Sequence, residues 1–247
     1  MNGSELVGAL REDILDDVAV PYQWSDLELL RYLNYAEVQA CRRAQLIIDS
    51  STAKDSGTAA TAGTAGQQPL CELTLVAGQA TYILSPKILQ VKRCQLKSMS
   101  YPLVGPVVYR DLDEGISGWF GTSGTVGTVG SGGSPSYFLN EPGNTITFVQ
   151  APSAPDTAYF VVSRLPLVPI TLSTSPEIPE QYHYGLLDWA AYLAFRKNDS
   201  DTLNVPLFTE FERKFTTQFG LLPDAYSERM RKTILQSQRM RPRPFGF

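Results

Sequence analysis

Between Trp24 and Ile48 apolar residues return every three or four positions, so that Leu30, Leu33, Ala36, Ala40, Ala44 and Ile47 fall along one stripe of a 3.6-residue period. The spacing predicts a single long helix over 24–48, roughly 37 Å at 1.5 Å per residue. Ser25 and Glu28 have the spacing of a capping box, the hydroxyl accepting from the Glu28 N–H and the carboxylate from the Ser25 N–H. Asp26 and Glu28 suit the positive end of the helix, and Arg42 and Arg43 suit the other end. Alanines in the stripe let a neighbouring helix approach closely. Upstream, Leu6, Leu10 and Ile14 predict a short helix over 4–17 that stops before Pro21.

From Cys71 the period changes to two. The runs CELTLV, ATYIL, ILQVKRCQL, SYFL, TITFV and AYFVVSRL are rich in Val, Ile, Thr, Tyr and Phe and are separated by turn signals such as Ala77-Gly78-Gln79 and Pro142-Gly143-Asn144. They predict a mostly antiparallel β domain over 71–169. Two stretches of Gly, Ser, Thr and Ala offer too little apolar surface to offset ordering entropy: a low-complexity loop over 51–70 and a flexible loop over 115–134.

After Pro166 and Pro169 helical spacing resumes. Pro179 suits a first helical position, and Tyr182, Leu186, Trp189, Leu193 and Arg196 share one face of a helix expected over 179–198. Asp199, Ser200 and Asp201 break it and offer caps. Phe208, Phe211, Phe215 and Phe219 then form a second stripe that ends at Gly220. A basic helix over 223–238 leads to a tail, 238–247, whose alternating prolines exclude helix; extended, it reaches roughly 30 Å. The expected fold class is α+β: a helical bundle formed from both ends of the chain (1–50 and 170–237), an inserted, mostly antiparallel β domain and an extended C-terminal tail.

Charge sharpens the reading of the tail. The 247-residue chain carries −4 overall, but residues 224–247 hold six basic and two acidic side chains, so this segment is +4 and the rest −8. A basic tail on an acidic body suits a negatively charged docking partner. The length is enough for one large or two modest cores. Three scattered cysteines (Cys41, Cys71, Cys94) and the single His183 argue against zinc. The acidic, polar start and the absence of long apolar runs predict a soluble protein, made in a reducing cytoplasm, with no membrane partner.

Chemistry is sparse. His183 and Asp188 could make a base and its orienter, but five residues turn a helix by roughly 140° from a shared face and no nucleophile motif accompanies them. Asp111, Asp113 and Gly115 resemble the start of a calcium loop, yet Thr122 stands where the bidentate Glu is needed. The glycines of 121–133 lack a phosphate-loop lysine. No catalytic, cofactor-binding or metal-binding residue is expected, and the chain reads as no enzyme. Arg239, Arg241, Arg243, Phe245 and Phe247 combine arginine with aromatic anchors, the composition of protein-interface hot spots. The acidic body favours protein docking over phosphate binding; a DNA-binding protein using the basic tail is the alternative.

The segments WSDLELLRYLNYAEVQACRRAQLIID, GQATYILSPKILQVKRCQL, GSPSYFL, NTITFVQAPSAP and IPEQYHYGLLDWAAYLAFRKNDSDT, in this order, closely resemble the adaptor (head-to-tail connector) proteins of tailed bacteriophages. The resemblance implies a structural virion protein at the neck. It implies a homo-oligomeric, dodecameric ring that docks on the portal protein through the C-terminal segment, Arg239 to Phe247. The ring would meet tail nozzle or fibre proteins and surround double-stranded DNA in passage without sequence-specific binding. Another neck or tail component, a nozzle or tail-completion protein, is the closest alternative. The two Gly/Ser/Thr-rich stretches exceed the family pattern.

Overall fold

Asn2 opens the chain's first helix with a full capping box: its side chain accepts from the Glu5 N–H at 2.9 Å, and the Glu5 carboxylate accepts from the Asn2 N–H at 3.0 Å. The computed structural model describes residues 1–50, 69–115, 133–141, 144–197 and 203–224. Outside them lie nearly all of the 51–70 and 115–134 loops, the Asp199–Asp201 caps, the basic helix and the tail.

Helix α1 (Gly3–Ala9) continues as a π-helical turn, Leu10–Leu15, which stops at Asp16 in the left-handed region. Gly3 is required here, because a Cβ would lie 2.1 Å from the Thr171 carbonyl oxygen. The helix expected over 24–48 is shorter: α2 is Asp26–Ala44, closed by Gln45 at φ 49°. Ile47–Asp49 instead form strand β1, where the β-branched pair Ile47 and Ile48 finds backbone partners in a sheet. Only half of the Ser25 capping box forms. Ser25 Oγ accepts from the Glu28 N–H at 3.3 Å, while the Glu28 carboxylate accepts from Tyr32 Oη at 2.9 Å and pairs with Lys197 Nζ at 3.1 Å. The buried face is also rotated from the expected stripe: Leu29, Leu33, Ala36, Ala40 and Cys41 are buried, Leu30 is half-buried and Ala44 is exposed.

After the short helix α3 (Tyr109–Gly115) of the intervening segment, the return to helix begins with a 3₁₀ turn, Glu180–Tyr182, and α4 follows as Gly185–Arg196. Buried on nearly all sides, α4 packs against α2 and against α5 (Val205–Phe219). The face expected for it is incomplete, since Leu193 is half-buried and Arg196 exposed, whereas Leu187, Ala190, Ala194 and Phe195 join the core. Asn204 caps α5, its side chain accepting from the Leu207 N–H at 3.3 Å. Phe211, Phe215 and Phe219 are buried as their spacing predicts, with ring centroids at 5.8 Å for Phe195–Phe211 and 4.9 Å for Trp189–Phe215. Gly220, at φ 84°, ends the helix.

The backbone divides into two compact units. One joins Met1–Ile47 to Arg164–Pro223 and holds α1, α2, α4 and α5; the other contains Ile48–Ser163. In the second, six strands follow the six alternating runs: β2 (Glu72–Leu75), β3 (Thr81–Ile83), β4 (Ile88–Leu96), β5 (Tyr137–Glu141), β6 (Thr145–Val149) and β7 (Asp156–Arg164). One sheet has the order β1-β7-β2, with β4 also paired to β7, and the other the order β3-β6-β5. The β2–β7, β3–β6 and β5–β6 pairs are antiparallel. Tyr82 is buried, and its hydroxyl accepts from the Val76 N–H at 2.8 Å, tying the turn between β2 and β3. At RDLDEG, which resembles the start of a calcium loop, Tyr109–Gly115 form the short helix α3, anchored by buried Leu112 against Leu139 and Val149. Asp111, Asp113 and Gly115 are therefore helical, not part of a calcium loop. With five α-helices among the described residues and antiparallel pairing, the fold class is α+β.

Candidate functional site

Within the helical unit, polar chemistry gathers at four places, each built on the core helices. The first is the loop between the π-helical turn and α2. Arg11, buried, forms an ion pair with buried Asp17 and also donates to the Trp24 carbonyl at 2.6 Å and to Asp26 Oδ1 at 2.8 Å. Asp17 in turn accepts from the Gln23 N–H at 2.8 Å and the Trp24 N–H at 3.3 Å, and the Arg11 guanidinium lies 4.0 Å from the Tyr22 ring centroid. Asp17 thus satisfies backbone groups that an irregular loop would otherwise leave bare.

The second place is where the chain re-enters the unit after β7. Arg164 donates to Glu177 Oε2 at 2.6 Å, and Glu177 Oε1 accepts from the N–H groups of Leu167 and Val168 at 2.5 and 2.6 Å. Glu37 of α2 then accepts from the N–H groups of Glu177 and Ile178 at 2.6 and 3.3 Å. One helical turn earlier, the Asn34 amide pairs with both backbone groups of Ile170, at 2.9 and 2.7 Å. Two polar residues of α2 therefore clamp the returning strand-to-helix connection. Burial pushes the Glu37 carboxyl up to about 7 despite those donated hydrogen bonds. The Cys41 thiol, close to both glutamates, is pushed up to about 12, chiefly by burial, and burial also raises Cys94. Neither thiol is poised as a nucleophile.

The third place holds His183. Its Nε2 faces the Ile178 carbonyl at 2.9 Å and must donate there, which leaves Nδ1 as acceptor for the Met1 amine at 3.3 Å. Both ring nitrogens are occupied by structural partners, so no base is free for Asp188. That carboxyl is half-buried, and burial raises its pKa against the opposing charge of Lys214.

The fourth is a groove between α2, α4 and α5, lined among others by Tyr35, Gln39, Arg43, Trp189, Tyr192 and Leu222. Arg43 donates to Thr216 Oγ1 and to the Gly220 carbonyl, both at 3.0 Å, with its guanidinium 4.8 Å from the Trp189 ring centroid and 5.0 Å from that of Phe215. Arg43, expected only to suit the cation-favouring end of α2, thus serves as the seam between α2 and α5.

Arg239, Arg241, Arg243, Phe245 and Phe247 lie outside the described residues, so the structure brings none of them to a site. The residues that sequence reasoning missed are Arg11, Asp17, Glu37 and Arg43. One signal for Glu37 was available: it stands on the same stripe as Leu33, Ala36 and Ala40, where a charged residue needs buried partners. Among the described residues no group of three or more His, Cys, Asp or Glu side chains is placed to hold a metal ion. No helix there is long and apolar enough to cross a membrane. The arrangement of the described residues offers hydrogen-bonded scaffolding and surfaces, and among them no nucleophile, base and oxyanion site is assembled.

A family model described as SU10 adaptor protein matches residues 1–242 of the chain. No curated protein matches it.

Proposed function

The chain belongs to the SU10 adaptor protein family, and from that premise we propose that it is the structural, non-enzymatic adaptor ring between the capsid portal and the tail of a bacteriophage virion. The single observation that carries the reading is the family match, which spans residues 1–242 and so includes both the helical segments and the β segment. In this reading copies of the chain assemble as a closed, dodecameric ring at the virion neck, and the helical unit supplies its rigid part. Nozzle or fibre proteins join on the tail side. Double-stranded DNA passes through the ring without sequence-specific contacts; the −8 charge of residues 1–223 supports this, because a wall rich in cations would hold phosphates and slow passage.

The segment Arg239 to Phe247 docks on the portal, with Arg239, Arg241 and Arg243 meeting acidic side chains and Phe245 and Phe247 filling apolar pockets. Deleting residues 238–247 is expected to abolish binding to the purified portal ring while leaving a soluble chain with an unchanged melting temperature. Co-sedimentation of the chain with portal rings measures this. Retained binding would remove the docking role from the tail, and steep loss of duplex DNA binding on the same deletion would favour the DNA-binding alternative.

A further inference from the structure

Two surfaces of the helical unit have opposite character and sit towards opposite ends of α2. At its N-terminal end, the loop Asp16–Ser25 and the first turn of the helix expose Val18, Val20, Tyr22 and Leu27, with Val20 79% and Leu27 80% accessible. Apolar side chains on a mobile loop would fold back on the protein. Here Arg11 and Asp17 prevent that, because their buried pair and the Gln23 and Trp24 N–H groups fix the loop backbone. Holding greasy side chains in water is unfavourable, and that loss is recovered when another surface covers them. Glu12, Asp13 and Asp16, all exposed, give this knob an acidic flank.

The groove lies roughly 18 Å further along α2, the rise between Leu27 and Gln39. Its open walls are Tyr35 and Leu222, with Trp189 and Tyr192 nearly buried at its floor, and it carries two arginines, buried Arg43 and exposed Arg196, against one glutamate, Glu212. Beneath these walls Gln39 Oε1, Arg43 Nε and Trp189 Nε1 are buried with no hydrogen-bond partner among the described residues. Such atoms are unfavourable when left unpaired. A seated loop brings the backbone C=O and N–H groups that small adjustments of these side chains can engage.

We propose that the Asp16–Ser25 loop of one copy seats in the Arg43–Trp189 groove of a second copy, its apolar side chains against the open walls and its carboxylates towards the arginines. The proposal rests on the ring reading above and names the contact that closes the ring. Since knob and groove are different patches, the contact is head-to-tail, the type that generates rings and not isolated twofold dimers.

The test uses full-length chains. A loop variant, Val18→Asp with Val20→Asp, and a groove variant, Tyr35→Asp with Leu222→Asp, change only exposed positions; unchanged melting temperatures establish that both fold. Sedimentation velocity is expected to show rings for the wild type and loss of the ring species for each variant alone. An equimolar mixture of the two variants then gives heterodimers and nothing larger, because one intact loop and one intact groove remain per pair. Wild-type rings that persist in both variants overturn the contact and leave the ring reading standing. So does a folded mixture that stays monomeric. Variants that form rings but lose the purified portal assign these surfaces to the portal and overturn the proposal; a wild-type chain that never forms rings removes the ring reading together with it.

Discussion

Glu37 is 1% exposed, and its carboxyl is held at about 7 against an ordinary value of 4.5. Burial is the largest cause, the nearby charge of Glu177 adds to it, and the N–H groups of Glu177 and Ile178 and the charge of Arg164 oppose it. An acid whose folded-state pKa is raised binds its proton more tightly when folded. Below about pH 4.5 it is protonated in both states and has no differential effect. As pH rises towards 7 the unfolded chain ionises first, so stability falls, and above 7 the full penalty applies, up to about 3 kcal/mol at 1.4 kcal/mol per unit. Glu37→Gln keeps the oxygen that accepts the two N–H groups and removes the ionisation. It is expected to raise the melting temperature at about pH 8, with the advantage shrinking to nothing by about pH 4.5; a pH-independent difference in thermal melts would show that Glu37 does not titrate in this range. Side chains of this kind were hidden in the sequence for a physical reason. Pattern reading assigns charge to solvent, and whether Arg11, Asp17, Glu37 or Arg43 is buried depends on partners up to 177 positions away.

At the scale of elements, alternation and helical spacing placed all six strands between Glu72 and Arg164 and the aromatic stripe of α5. These signals are local, since a strand or helix with one buried face must repeat at period 2 or 3.6. Two errors came from tertiary effects. The α2 stripe ran on to Ile47 because helical spacing continues there, whereas sheet pairing draws Ile47–Asp49 into a strand after Gln45 turns left-handed. Helix α3 was missed because seven residues show barely two turns of pattern, with Leu112 as its buried anchor. Leu33 lies on both the expected and the observed face of α2 and is fully buried. Leu33→Asp, which would bury an unpaired carboxylate, is expected to cost several kcal/mol and to give insoluble or unfolded chain. Circular dichroism melts of the soluble fraction measure it, and a wild-type melting temperature would mean that this face is not core.

For the molecule as a whole, the chain leaves the helical unit between Ile47 and Ile48 and re-enters it between Ser163 and Arg164. The clamps of Asn34 and Glu37 on the returning segment belong entirely to that unit. Replacing residues 48–163 by a short Gly/Ser linker is therefore expected to leave a helical protein with a single cooperative melt; a chain without a cooperative transition would show that the helical unit needs the β unit to fold. The sequence alone determined that helices at both ends bracket a β segment and that the basic and aromatic composition of 239–247 contrasts with that of an acidic body. Those properties follow from periodicity and composition, which need no knowledge of distant neighbours. Tertiary structure alone decided where α2 stops, which of its faces is buried, and that Arg11 and Asp17 spend a buried ion pair on displaying an apolar loop. Each of these turns on desolvation and on hydrogen-bond partners brought together from remote parts of the chain, and spacing along the sequence does not encode them.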